Sequence, residues 1–233
     1  MIWIGTSGFQ YREWKGDFYP EKMPLAKMLA FYAQHFPSTE INYTFRRLPA
    51  PATLQNWVDA TPPGFVFAAK ANQRITHILR LRESEFTEVF FKAIDPLRTS
   101  RRLGPVLFQL APNLKADLAT LTAFVEKLPK DIRCAFEFRN KSWLVDEVYR
   151  LFEKHGIGLC LAESDKFEVP EVVTAPFVYV RLRKEDYSPA ERAEVAERVR
   201  GMLAGGRDVY VFFKHEDTPA GAVYAEELLK AAV

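Results

Sequence analysis

Cysteine is nearly absent from this chain: Cys134 and Cys160 are its two, and neither belongs to a CxxC pair or to a Cys/His spacing suited to zinc. Both lie inside apolar runs, where a free thiol behaves as a small hydrophobe, so both are expected to be inert core residues. Histidine is nearly as scarce, with four residues and no HExxH or comparable imidazole cluster. Excess charge is missing too. Lys plus Arg total 32 against 30 acids, a formal charge of +2, which gives no general pull toward nucleic acid or a membrane surface. No uninterrupted apolar stretch approaches the roughly 20 residues that span a bilayer. No charged-then-apolar leader stands before IWIG, and the chain reads as a soluble cytoplasmic protein without a membrane partner. Repeats, low-complexity linkers and composition breaks are all lacking, so residues 1–233 are expected to form a single domain.

Apolar material is plentiful. Hydrophobic residues make up 48% of the chain and aromatic ones 14%, nineteen of them Phe, enough for one large core at a length that α/β barrels reach as one domain. Short apolar or β-branched runs alternate with longer amphipathic ones. The strand candidates are residues 2–5, 39–43, 65–70, 105–110, 132–138, 157–163, 177–183 and 209–214. Helix patterns cover residues 24–35, 52–60, 83–101, 117–128, 144–155, 189–204 and 219–231. Asp117 suits an N-cap, Ser188-Pro189 a cap followed by Pro at the first helical position, and Gly156 a helix C-terminus. Strands too apolar to face water, alternating with helices, imply a parallel sheet covered by helices. Eight such units point to a closed (β/α)8 TIM-type barrel. Its sixth helix is expected to be short or missing, because SDKFEVPEVVTAP (164–176) has poor helix character. An open doubly wound sheet is the alternative, but no dinucleotide fingerprint follows the first strand.

Side chains two apart on a strand share a face, and in a barrel alternate residues point to the lumen. CAFEFR (134–139) therefore raises a question, because Glu137 and Arg139 share a face where an apolar strand runs out. With Phe136 and Phe138 outward, Ala135, Glu137 and Arg139 point in. The same parity turns Tyr179, Arg181 and Arg183 inward, and likewise Tyr210, Phe212 and Lys214. Val66, Ala68 and Lys70 follow, then Leu107 with Gln109, and Glu40 with Asn42. Six strands thus give one answer: an apolar lumen below and polar or charged groups at the carboxyl end, where barrel enzymes build their sites. A buried, unpaired ion costs several kcal/mol, so charges gathered in a barrel centre call for a reason. The inward cations Lys70, Arg139, Arg181, Arg183 and Lys214 outnumber Glu40, Glu137 and Glu163, which favours a small anionic ligand. The same set also fits an internal salt-bridge lattice, with Glu40–Lys70 and Glu137–Arg181 as pairs.

The loops add material. GTSGFQYREWKGDFYP (5–20) brings Thr6 and Ser7 in a glycine-rich turn that suits either a phosphate or a plain tight turn. Its Tyr11, Trp14, Phe18 and Tyr19 suit either a stacking wall or simple packing. ANQRITHILRL (71–81) sets Arg74, Thr76 and His77 above the mouth, and His77 is a candidate acid or base. His215 is a weaker one. Converging carboxylates for a hard metal are lacking, so neither a metal nor another cofactor is expected.

Assembled, these stretches resemble the DUF72, or YecE-like, family of uncharacterised proteins. The likeness runs from GTSGFQYREW and GDFYP through TEINYTFRRLP, FVFAAKANQRITH, GPVLFQLAPNL, AFEFRNKSW and YVRLR to VYVFFKHEDTPAGAVYAEEL. It implies a TIM barrel and no established activity or catalytic residue. Two places depart from the family's usual pattern. Arg-Leu-Arg-Lys (181–184) stands where Arg-Leu-His-Gly is common, and Lys214-His215 where paired Asn is common, so the mouth is more basic here. The expected function is therefore a hydrolase, lyase or isomerase acting on a small anionic, phosphorylated substrate. Glu40, Glu137, Lys70 and His77 are its candidate chemical groups. Asn42, Arg74, Gln109, Arg139, Arg181, Arg183, Lys214, Thr6, Ser7 and Trp14 are its candidate ligand contacts. The alternatives are a nuclease-like or single-strand-binding barrel that stacks bases on the first loop, and a non-catalytic anion-binding module.

Overall fold

The computed structural model describes residues 1–164 and 166–232. Eight parallel strands follow in chain order: β1 Ile2–Thr6, β2 Ser38–Ile41, β3 Val66–Lys70, β4 Leu103–Gln109, β5 Cys134–Glu137, β6 Gly158–Ala162, β7 Phe177–Leu182 and β8 Asp208–Phe213. Hydrogen-bonded neighbours run β1-β8-β7-β6-β5-β4-β3-β2, so the sheet curls into a nearly closed TIM-like barrel. Between the strands lie α1 Leu25–His35, α2 Tyr43–Arg46, α3 Pro51–Asp59, α4 Phe86–Thr99, α5 Leu118–Glu126, α6 Asp146–His155 and α7 Pro189–Ala204, and α8 Ala220–Ala232 follows β8. The caps form as their residue types require. Ser188 and Glu191 make a reciprocal capping box on α7, Asp117 accepts from the Thr120 N–H at 3.0 Å, and Gly156 ends α6 in the left-handed region.

The seam between β1 and β2 carries no full ladder, and isolated backbone bonds and side chains complete it. Ser7 bridges to Glu40, the Gly8 N–H donates to the Glu40 carbonyl at 2.8 Å, and the Thr39 hydroxyl donates to the Thr6 carbonyl at 3.1 Å. Tyr32 of α1 supplies the rest. Its hydroxyl accepts from the Thr6 N–H at 2.7 Å and donates to the Ser38 carbonyl at 3.1 Å. Gly5 permits this approach, since a Cβ there would stand 2.0 Å from the Ser38 carbonyl oxygen.

Parity along the strands sorts two apolar clusters. Ala68, Leu107, Ala135, Cys160, Tyr179, Tyr210 and Phe212 fill the lumen, while the larger cluster lies between barrel and helices. Burial raises both thiols, that of Cys134 to about 12, in keeping with inert core residues. No helix connects β6 to β7 among the described residues. Thr174 stitches the connection down, its hydroxyl donating to the Ile157 carbonyl at 2.7 Å and accepting from the Leu159 N–H at 2.9 Å. Two local differences from the sequence reading matter at the mouth. β2 stops at Ile41 and not at residue 43, because Thr44 donates to the Lys70 carbonyl at 2.7 Å and draws α2 across the end of β3. Residues Arg74–Ile78, expected as loop, form one π-helical turn, opened by Asn72 accepting from the Arg74 N–H at 3.0 Å.

Candidate functional site at the barrel mouth

Alternation on β7 sends Val178, Val180 and Leu182 into the outer core and leaves Tyr179 and Arg181 inside. Arg181 is fully enclosed, with one Nη 2.8 Å from Glu40 on β2 and the other 2.5 Å from Glu137 on β5. Each carboxylate takes further donors. Glu40 accepts from the Ser7 hydroxyl and, at 2.7 Å, from the Tyr179 hydroxyl, and Glu137 accepts from the Gln109 amide at 2.8 Å. Burial alone would raise both carboxyls. The Arg181 charge and these hydrogen bonds overcome it and hold both below the ordinary glutamate range. Enclosed, ionised and saturated with donors, Glu40 and Glu137 are suited to fixing Arg181 and poorly suited to moving protons.

The expected Glu137–Arg181 pair is therefore present and the expected Glu40–Lys70 pair is not, because Glu40 spends its oxygens on Arg181, Ser7 and Tyr179. Lys70, 8% exposed at the end of β3, makes no ion pair among the described residues. Its Nζ lies instead over the Phe45 ring, 4.3 Å from the centroid. Burial first, and then the Arg181 charge, lower its pKa from 10.5 to about 8. His77 meets the same Phe45 ring edge-on at 5.2 Å, with its Nδ1 2.8 Å from the Thr76 hydroxyl. Burial, Lys70 and Arg139 all push the imidazole down, toward its neutral form.

Above this floor stands a cationic rim. Arg139, 28% exposed, and Arg183, 24% exposed, reach Glu137 at 3.7 and 3.4 Å, and Lys214, 33% exposed, lies 3.4 Å from Glu216. Arg139 and Arg183 also line a cavity of about 750 Å³ beside β6, where the sixth connecting helix is missing, together with Glu163, Glu168, Glu171 and, on α7, Arg198. Leu161, Phe167 and Val169 give that cavity an apolar side. Asn42 donates to the Ser7 hydroxyl at 3.0 Å and steadies the β2 end of the mouth.

Several expected contacts lie elsewhere. Trp14 is fully buried, packed by Tyr11, Phe18 and Tyr19 at centroid distances of 4.9, 5.7 and 6.2 Å, so the first loop is packed down and its indole offers no stacking wall. Thr6 is enclosed in the β1–β2 seam, its hydroxyl donating to the Gly8 carbonyl at 2.6 Å. Ser7 is enclosed as well and serves Glu40. Arg74 stacks on Phe86 at 4.7 Å, beside α4. Glu163 does not join the inward cluster. It accepts from the Arg183 and Lys184 N–H groups and from the Tyr187 hydroxyl, fixing the loop after β7. His215 bonds the Lys184 and Glu185 carbonyls at 2.8 and 3.0 Å.

Parity turned Tyr179 inward, but its role as a donor to Glu40 was not foreseen, and Phe45 was missed altogether. Phe45 follows β2 on a four-residue helix, where no periodicity marks a side chain as facing the mouth. Among the described residues, no three His, Cys, Asp or Glu side chains gather in the manner of a metal site.

The family model for DUF72, described as a protein of unknown function, matches residues 3–233. This chain belongs to the DUF72 family. A DUF72 family protein from Thermotoga maritima MSB8 has a crystal structure that superimposes with a TM-score of 0.87 at 28% identity, covering 99% of this chain and 98% of that one. A second DUF72 family protein, from Enterococcus faecalis V583, gives a TM-score of 0.82 at 21% identity over 100% of this chain and 95% of its own, a likeness of fold. UPF0759 protein YunF of Bacillus subtilis strain 168 is 31% identical over 156 residues, which make up 64% of this chain and 54% of YunF. This DUF72 chain thus matches about half the length of that relative.

Proposed function

We propose that this DUF72 protein is an enzyme acting on a small anionic substrate at the barrel mouth, as a lyase, isomerase or hydrolase. Lys70 is the reacting group, and Arg139, Arg183 and Lys214 are the anion seat. The observation that carries this reading is the amine of Lys70, buried beside the Arg181 charge with no direct ion pair among the described residues, so that desolvation and Arg181 outweigh the pull of Glu40 and Glu137. A lysine held in that way costs stability, and lysines desolvated next to another cation serve as nucleophiles and bases near neutral pH. The surrounding charge agrees. Lys70, Arg139, Arg181, Arg183 and Lys214 outnumber Glu40, Glu137 and Glu216, and Arg139 and Arg183 also border a neighbouring cavity of about 750 Å³, which Lys70 itself does not line. A non-catalytic module would use the same rim but would have no use for an unpaired amine. Base stacking on the first loop loses its support, because Trp14 and Tyr19 are buried.

Thermal shift and calorimetry with a panel of sugar phosphates and short carboxylates test the seat. The expected outcome is saturable binding, weakened about tenfold in Arg139→Ala or Arg183→Ala, the equivalent of one charge-assisted hydrogen bond. Binding by none of the panel, or binding indifferent to both substitutions, would contradict the reading.

A further inference from the structure

We infer that Lys70 forms an imine with a small aldehyde or ketone bearing a carboxylate or phosphate, whose anionic end lies against Arg139 and Arg183. This rests on the site reading above and names its substrate class. Geometry singles out this amine among the groups of the mouth. Glu40 and Glu137 are bonded to Arg181, Lys70 is 8% exposed, and its Nζ is held 4.3 Å from the centroid of the Phe45 ring. A guanidinium does not add to carbonyls, and Lys214, the other amine of the rim, lies against Glu216. A pKa of about 8 leaves a useful fraction of the Lys70 amine neutral at physiological pH.

The neutral nitrogen adds to the carbonyl carbon, and the C=O π pair moves to oxygen. That oxygen then takes one proton from the adding nitrogen and one from solvent and departs as water, leaving an iminium whose nitrogen keeps one hydrogen. The iminium draws electrons from the adjacent carbon, so a C–H bond there becomes acidic or a C–C bond one atom further can break. Both fit an isomerase or a lyase and neither requires a metal. The base for the C–H proton is the imidazole of His77, which shares Phe45 with Lys70 and is held toward its neutral form. Electrostatics help as well, because formation of the iminium retains a positive charge that the bound anion then faces.

Reductive trapping tests the inference. The intact chain is incubated with pyruvate, glyoxylate or dihydroxyacetone phosphate and cyanoborohydride, and adducts are located by peptide mass mapping. The expected result is one dominant adduct on Lys70, at least tenfold above any surface lysine. It should be absent from a folded Lys70→Met variant, with a trapping rate that climbs as pH rises through about 8. Label spread over surface lysines, unchanged in Lys70→Met, overturns the imine. Lactate and glycerol phosphate, which carry the anion without the carbonyl, separate the two readings. If they bind through Arg139 and Arg183 while Lys70 is never trapped, the imine falls and the anion seat stands. If they do not bind and nothing is trapped, both fall.

Discussion

Lys70 lowers the stability of the fold that holds it. Its pKa falls from 10.5 to about 8, so between those values the unfolded chain carries a proton that the folded chain has released. Stability from this group therefore rises as pH climbs from about 8 to 10.5, and at neutral pH the buried charge costs on the order of 3 kcal/mol. Lys70→Met removes the charge and keeps most of the stem's volume. Its melting temperature should exceed that of the parent by several degrees at pH 7, with the gap closing by pH 10.5, as scanning calorimetry at both values would measure. A variant less stable at pH 7 would mean that Lys70 is paired and structural. At this scale the sequence was informative about direction and half right about partners, giving Glu137–Arg181 but not Glu40–Arg181. Strand parity alone placed Glu137, Arg181 and Lys70 inside the barrel. Which carboxylate reached which cation depended on the distances between strands, and so Glu40 went to Arg181. His77 was placed above the mouth from its loop, whereas Phe45, on a four-residue helix, carries no period from which its place beside Lys70 could be read.

Among the elements, the β1–β2 seam is where the barrel relies on side chains. The Thr6 N–H and the Ser38 carbonyl, which a ladder would pair directly, meet through the Tyr32 hydroxyl. Tyr32→Phe leaves both unpaired in a buried place and should cost about 1–3 kcal/mol. Urea denaturation would measure this as a lower midpoint at an unchanged slope, and an unmoved midpoint would show that the seam holds without the hydroxyl. Helix limits were largely legible because caps are local. Ser188-Pro189, Asp117 and Gly156 each act within one turn. The short helix after β2 was not legible, because it is imposed by Thr44 bonding to the Lys70 carbonyl, a partner distant in sequence. The gap between β6 and β7 was legible from helix-poor composition, and it now has a consequence, since a cavity bordered by Arg139 and Arg183 opens there.

For the whole molecule, the parallel barrel follows from buried strands alternating with helices, and the shared fold of the Thermotoga maritima relative agrees over nearly the full chain. The barrel brings six strand ends to one mouth, so side chains far apart in sequence meet there. Two carboxylates hold one arginine at the centre, and a lysine beside it makes no direct ion pair among the described residues. A titration of the lysine side chains by NMR, with Lys70→Met to assign the resonance, measures that condition directly. The expected midpoint for Lys70 is about 8. A midpoint at or above 10.5 would place a carboxylate against the amine and contradict the account.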